Sequence, residues 1–310
     1  MAPSSMVRSA AYNDVESTPD APDAHSAADV SSRVWRHSPH DAWLVALPAL
    51  QLALTLGWAL TSRGLPLALN VALIVPMAVL FYFNPIVATH NFLHTPFFRS
   101  QRANELFSSV NSINLGLPQI LYRVHHLLHH RYGNDPIANG TTQDPSSTYR
   151  FGKQGQQEHW VSYCALGLLR DGTSVTSKEA IRRGEGATLL RESVASAAGW
   201  VAWLAIDWRF ALCFWLPTFF FGWFLAHAEN YFEHFRAKDV ANRFANSVSY
   251  YGRWYNVLMF NEGYHQEHHI EPGRHWTLRP SVHERHRDAM TAAGATVSSV
   301  PPLLGMFERS

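Results

Sequence analysis

The chain has 310 residues, a mass of 35.0 kDa and a formal charge of +1, a balance that argues against a nucleic-acid binder held by phosphate neutralisation. Its two cysteines, Cys164 and Cys213, exclude a disulfide framework and a thiolate metal site. Charged residues make up only 16%, yet histidine reaches 18, and the mean hydropathy of −0.13 hides a sharp partition along the chain.

Residues 1–32 are rich in Ala, Ser, Asp and Pro, with Tyr12 their one aromatic. Such a stretch cannot bury enough apolar surface to offset its ordering entropy and reads as a disordered tail. No apolar run follows the start, so it is not a signal peptide. Residues 43–60 and 65–89 are then two long charge-free runs joined by Thr61-Ser62-Arg63-Gly64. Each is long enough to cross a hydrocarbon core of about 30 Å as a helix, and together they form a hairpin. A second pair, 194–206 and 210–226, is joined by Asp207-Trp208-Arg209; its first member is the shorter and starts beside Arg191 and Glu192. Two buried hairpins of a soluble helical protein are the alternative, but soluble cores rarely supply charge-free runs of this length. Prolines 48, 76 and 217 inside the runs fit membrane helices better than soluble ones. Only Arg63 and Arg209 of the 25 Lys and Arg lie in the short connectors. The positive-inside rule therefore places the tail, the middle segment and the C-terminal region in the cytoplasm, most simply of an inner membrane. The expected fold is all-α and integral to the membrane: four transmembrane helices in two hairpins beneath a cytoplasmic helical cap. Residues 160–169 read as a short interfacial helix. The expected organisation is a tail over 1–32, a membrane domain over 33–290 and a C-terminal tail over 291–310.

The histidines fall in clusters at or beyond the inner ends of these runs. His90 and His94 follow the second run; His125, His126, His129 and His130 lie in the middle segment. His227, Asn230 and His234 follow the fourth run, and His265, His268 and His269 lie in the C-terminal region. On a helix, positions i, i+3 and i+4 share a face, so each cluster presents two or three imidazoles together. Imidazole suits divalent Fe, Zn, Cu and Ni. Eight to ten such ligands are too many for one tetrahedral zinc and a sensible number for two metals with open positions. Each ligand ring needs an outer partner for its second nitrogen, and Asp135, Glu229, Glu233, Glu262 and Glu267 are candidates by sequence proximity. Lone histidines such as His159, His275 and His283 are more often simply solvated or satisfied. No H-E-x-x-H, phosphate loop or dinucleotide G-x-G-x-x-G occurs.

Over roughly residues 43–280 the sequence resembles the membrane fatty acid desaturase and hydroxylase superfamily, the histidine-box diiron proteins. His90 and His94 match its first box. His126, His129 and His130, followed by Arg-Tyr-Gly-Asn-Asp-Pro, match the second. His265, His268 and His269 match the third, and Asn261-Glu-Gly-Tyr-His265 is similar to the desaturase lead-in. Asn230 and His234 match the place where acyl desaturases supply an extra histidine and a nearby asparagine. The same stretch, Asn230-Tyr231-Phe232-Glu233-His234-Phe235, is similar to a motif of membrane alkane hydroxylases, whose second box would use His125 with His129 and His130. The choice between His125 and His126 stays open, with His126 preferred. The resemblance implies a diiron centre in the cap, held by His90, His94, His126, His129, His130, Asn230, His234, His265, His268 and His269. It implies dioxygen-dependent hydrogen abstraction from an aliphatic acyl or alkyl chain that enters from membrane lipid.

Acyl desaturation is the leading function, with hydroxylation or terminal-alkene formation as variants of the same chemistry. A non-enzymatic metal transporter or sensor would instead carry its ionisable residues inside the spans. Electrons would come from a separate ferredoxin or rubredoxin with its reductase, since two cysteines cannot hold an internal iron–sulfur module. Arg123, Arg131, Arg274 and Arg279 flank the boxes and are candidates for docking that donor, for holding a substrate head group, or for anchoring at lipid.

Overall fold

The computed structural model describes residues 31–170 and 172–308. The tail expected over 1–32 therefore lies outside the described residues, except that Ser31 and Ser32 open helix α1 (Ser31–Val34). Helix α2 (Asp41–Thr61) and helix α3 (Leu67–Phe83) are joined by a 3-10 turn over Ser62–Gly64. α3 runs on through a π-helical turn, Asn84–Thr89, into α4 (His90–His94). Four helices make up the middle segment: α5 (Gln101–Leu115), α6 (Gln119–Tyr132), α7 (Trp160–Arg170) and α8 (Thr173–Arg182). The stretch 160–169 is thus helical, as α7. Helix α9 (Gly186–Phe210) passes through a second π turn, Ala211–Trp215, into α10 (Leu216–His234). The C-terminal region holds α11 (Arg253–Leu258), α12 (His265–Ile270) and α13 (Arg279–Ala293).

Among the described residues, three stretches are long and apolar enough to cross a membrane: Asp41–Gly64, Leu67–His94 and Gly186–His234. The third contains 49 residues, about 74 Å if it were one straight helix and more than twice a hydrocarbon core. It is broken at Asp207, whose extended backbone (φ −159°, ψ 107°) interrupts the helix where the sequence places a connector. The break meets the turn of the first pair. Ser62 Oγ donates to Asp207 Oδ2 at 3.2 Å, and Arg63 Nε lies 3.2 Å from the same oxygen. The expected third run begins earlier than 194, at Gly186, because its charged residues find partners. Glu192 is buried and accepts the Ile120 amide at 2.6 Å, and Arg191 Nε donates to Ser109 Oγ at 3.0 Å.

The four apolar helices bury aromatic side chains against one another. Trp58, Phe81, Phe210, Trp215, Phe219 and Trp223 belong to one core. Gly222 lets α10 close on α3, since a Cβ there would stand 2.4 Å from the Phe81 ring. Their outer faces are also apolar: Leu50, Leu54, Val71, Val75, Val201 and Phe220 are all exposed. A soluble protein does not leave so continuous an apolar surface in water, whereas lipid covers it without cost. The molecule is a mostly helical membrane protein.

A buried amide network fixes the turn that carries the first two histidines. Asn84 Nδ2 donates to Gln51 Oε1 (2.7 Å) and Asn111 Oδ1 (2.8 Å), and the Thr89 hydroxyl donates to Asn84 Oδ1 (2.9 Å). Asn111 Nδ2 in turn donates to Thr89 Oγ1 and Gln119 Oε1, both at 2.8 Å. α2, the π turn, α5 and α6 are thereby tied together in a setting where an unmade hydrogen bond is costly.

Among the described residues, one short parallel pair departs from the all-helical expectation: β1 (Val248–Ser249) beside β2 (Thr296–Val297). It also corrects the reading of residues 291–310 as a tail. Beyond β2, the 3-10 turn Pro302–Phe307 packs on α10, with Gly305 against the Phe232 ring. The sequence there is short of apolar periodicity, so only the tertiary contacts reveal that it belongs to the body.

Candidate metal centre

Among the described residues, nine histidines converge in two adjoining groups at or beyond the ends of the apolar helices. His90, His94, His126, His130 and His268 form one; His129, His234, His265 and His269 form the other. Within each, one ligand atom per residue lies within 4.8 Å of all the others. α6 serves both groups from one helix. His126 and His130 point into the first and His129 into the second, as a 100° step between neighbouring residues dictates. α6 ends just beyond them at Gly133, whose left-handed backbone (φ +55°) returns its amide to the His129 carbonyl. α12 splits in the same way, giving His268 to the first group and His265 and His269 to the second.

The contacts are between inner nitrogens. Nε2···Nε2 separations are 2.7 Å for His90–His268 and 2.9 Å each for His94–His126 and His126–His130. In the second group they are 2.9 Å for His129–His234 and 3.2 Å for His234–His265. Two donors about 2.1 Å from one ion stand roughly 3 Å apart when at right angles, so the spacing fits rings gathered around metals. His269 Nε2 is buried among them with no hydrogen-bond partner, as a nitrogen reserved for a metal would be. Burial, followed by the mutual repulsion of the rings, holds His126, His130, His265, His268 and His269 below the ordinary imidazole value. Neutral rings are the form that binds metal.

Outer partners aim several of these rings. Asp144 Oδ2 accepts His129 Nδ1 at 2.7 Å; Glu262 lies 3.2 Å from His90 Nδ1 and Glu233 3.2 Å from His265 Nδ1. The Asn246 carbonyl is 3.3 Å from His234 Nδ1. Of the five carboxylates suggested by sequence, Glu233 and Glu262 therefore reach a histidine of the two groups. Asp135 stands one step back, accepting the amides of Gln143 and Asp144. Glu229 accepts the Tyr255 hydroxyl, and Glu267 accepts Ser249 and Tyr251 and contacts His283. Asp144 and Asn246 were not legible because no spacing rule links a loop residue to a ring on another element. Arg279, a candidate for docking a donor, holding a substrate head group or anchoring at lipid, is only 2% exposed, pairs with Glu262 at 2.8 Å and donates to Asn91.

Of the two neighbours in the second box, His126 lies in the first group. His125 faces aside, its Nδ1 3.2 Å from Ser146 Oγ. Asn230 stands on a cavity wall beside the groups, and its Nδ2 donates to the Tyr163 hydroxyl at 2.7 Å. That cavity reaches His90, His126, His265 and Glu233 at its buried end. α10 lines it from Trp223 to Glu233, a rise of about 15 Å along the helix. Leu117, Leu121 and Leu168 supply apolar wall, and Gly167 leaves room for the His227 ring, which a Cβ would meet at 2.2 Å. An apolar pocket ending on buried imidazoles suits an aliphatic substrate brought to a metal.

Among curated proteins none matches the chain. The family model for fatty acid desaturases matches residues 64–301, a stretch that contains all nine converging histidines, and the chain belongs to that family.

Proposed function

We propose that the protein is a dioxygen-dependent diiron oxidoreductase that desaturates an acyl chain. The observation that carries this reading is the pair of histidine groups opening on one apolar cavity. His90, His94, His126, His130 and His268 would hold one iron, and His129, His234, His265 and His269 the other, with Asn230 at their edge. When bound, the two irons supply dioxygen activation and hydrogen abstraction from an unactivated methylene, using two electrons from a separate ferredoxin or rubredoxin.

The chain's own residues prepare that chemistry. Asp144 holds the outer ring nitrogen of His129, so its inner one faces the metals in one tautomer, while Glu233 and Glu262 stand 3.2 Å from the outer nitrogens of His265 and His90. Burial keeps His126, His130, His265, His268 and His269 neutral and excludes bulk water from the reacting methylene. The leucine-lined walls orient the chain along α10. Asp207, at the break in the 49-residue stretch, supports two spans there and so four in all. The placing of all Lys and Arg but Arg63 and Arg209 outside the short connectors supports termini and metal site on the cytoplasmic face of an inner membrane. Oxygen insertion is the second reading, favoured by the alkane-hydroxylase-like run from Asn230 to Phe235.

The test is metal analysis of the purified protein and mass spectrometry of lipids from an expressing host. Two irons per chain, their loss in His129→Ala, and products lighter by two hydrogens are expected. Products heavier by one oxygen would select hydroxylation. Stoichiometric zinc with no dioxygen consumption under any reductant would defeat both.

A further inference from the structure

The cavity has a charged mouth that the metal chemistry does not use. At its exposed end lie Phe151, Thr173 and Arg170, and Arg170 is the one Lys or Arg lining it among the described residues. The guanidinium stacks over the Phe151 ring at 4.3 Å and donates through Nη1 to Glu158 Oε1 at 2.6 Å. Glu158 is nearly buried, its side chain 7% exposed, and is held in turn by the Ser162 hydroxyl at 2.6 Å. The Arg170 side chain is 27% exposed. Glu158 therefore engages a single Nη1 donor of a fork that carries five N–H groups. A ring on one face and a carboxylate on one corner fix the guanidinium, while its remaining donors stay at the cavity mouth. A planar fork in that state is suited to a second anion, which it can grip with two parallel hydrogen bonds. The arginines that flank the histidine clusters offer no alternative. Arg123 is paired with Glu185, Arg279 is buried under Glu262, and none of Arg123, Arg131, Arg274 and Arg279 lines the cavity.

We propose that Arg170 is the anchor for the anionic head group of the substrate, a carboxylate or phosphate at the end of an acyl chain whose tail lies in the cavity. This rests on the acyl-substrate reading above and adds to it a requirement for a charged head. Anchoring at a fixed point also sets which methylene reaches the histidines, so Arg170 acts as a positioning residue.

The test is displacement of a fluorescent fatty acid from the purified iron-loaded protein, without reductant or dioxygen turnover. The competitors are palmitate, palmitoyl-coenzyme A and methyl palmitate. In Arg170→Gln one of the two anionic competitors weakens by about tenfold or more, whereas methyl palmitate is unchanged. Loss for palmitate identifies a free carboxylate, and loss for the thioester alone identifies the carrier's phosphates. Arg170→Lys keeps the charge without the fork and shows a smaller loss in the same direction. Equal weakening of the methyl ester, or no loss for either anion, overturns the proposal. Binding through Arg170 by a wild-type protein that oxidises nothing would sink the oxidase reading and leave this one standing.

Discussion

Replacing Asp144 tests the site through a residue that touches no metal. Its carboxylate is fully buried and accepts three hydrogen bonds of 2.7 Å: His129 Nδ1 and the Asn134 amide at Oδ2, and the Ser146 amide at Oδ1. Burial alone would raise its pKa, but the hydrogen bonds from His129 and the two amides outweigh burial and hold it at about 2. Asp144→Asn keeps the shape and exchanges one acceptor for an NH2 donor. In its better orientation the new NH2 faces the Ser146 amide, leaving two donors opposed in a buried site. The bonds to His129 and Asn134 survive without their charge assistance. A charge-assisted bond exceeds a neutral one by about 1 kcal/mol, and an unsatisfied buried donor costs about 1–3 kcal/mol, so the variant loses roughly 3–5 kcal/mol. That is a large share of a typical total of about 5–15 kcal/mol. Because a neutral amide oxygen raises the basicity of His129 less than a carboxylate does, iron affinity falls by about 10–100-fold. Chelator titration of the detergent-solubilised protein reads the affinity, and thermal unfolding of the metal-free form reads the stability. A variant that melts with wild type and holds iron as tightly would refute the claim that Asp144 orients His129.

Three further outcomes are expected. His126→Ala loses iron from the group it shares with His90 and His268, whereas His125→Ala keeps its full iron content; equal losses by metal analysis would mean that the second box uses both rings. Gly222→Ala drives a methyl group to 2.4 Å from Phe81 and lowers stability by about 1–3 kcal/mol, seen as a depressed melting temperature in detergent. Burial, and then the charge of Glu158, pushes the Cys164 thiol up to about 12, so it stays protonated and resists iodoacetamide from pH 7 to 9. Alkylation of Cys164 in the folded protein, read by peptide mass spectrometry, would contradict that burial.

The histidines were legible because their spacing is a local property. In α6 the run His126-Leu-Leu-His129-His130 fixes which rings share a face, whatever else the chain does. What spacing cannot supply is the assignment of rings to groups. His129 and His130 are neighbours in sequence, yet they belong to different groups, and His129 meets His234 from a helix 105 residues away. The apolar runs were legible for a similar reason, since a lipid-facing helix needs no partner to declare itself. Their ends were less so: Glu192 looked like a boundary charge and is instead buried under the Ile120 amide.

The elements that aim the site lie in the part of the fold least visible in sequence. Asn84, Thr89, Asn111 and Gln119 form no periodic pattern, yet their network sets the π turn that delivers His90 and His94. A π turn widens the helix by one residue per turn, so it rotates everything beyond it relative to the apolar face before it. α3 can therefore present phenylalanines to the aromatic core and then, within two turns, imidazoles to the metal site. The second π turn, Ala211–Trp215, lies between the break at Asp207 and the start of α10, which carries His234. α10 then carries its apolar face and His234 on one regular helix, so of the two it is α3 that changes register on its way to the ligands. A regular 3.6-residue helix would fix one relation between the lipid-embedded face and the ligand face. The π turn after α3 frees each face to be set by its own packing.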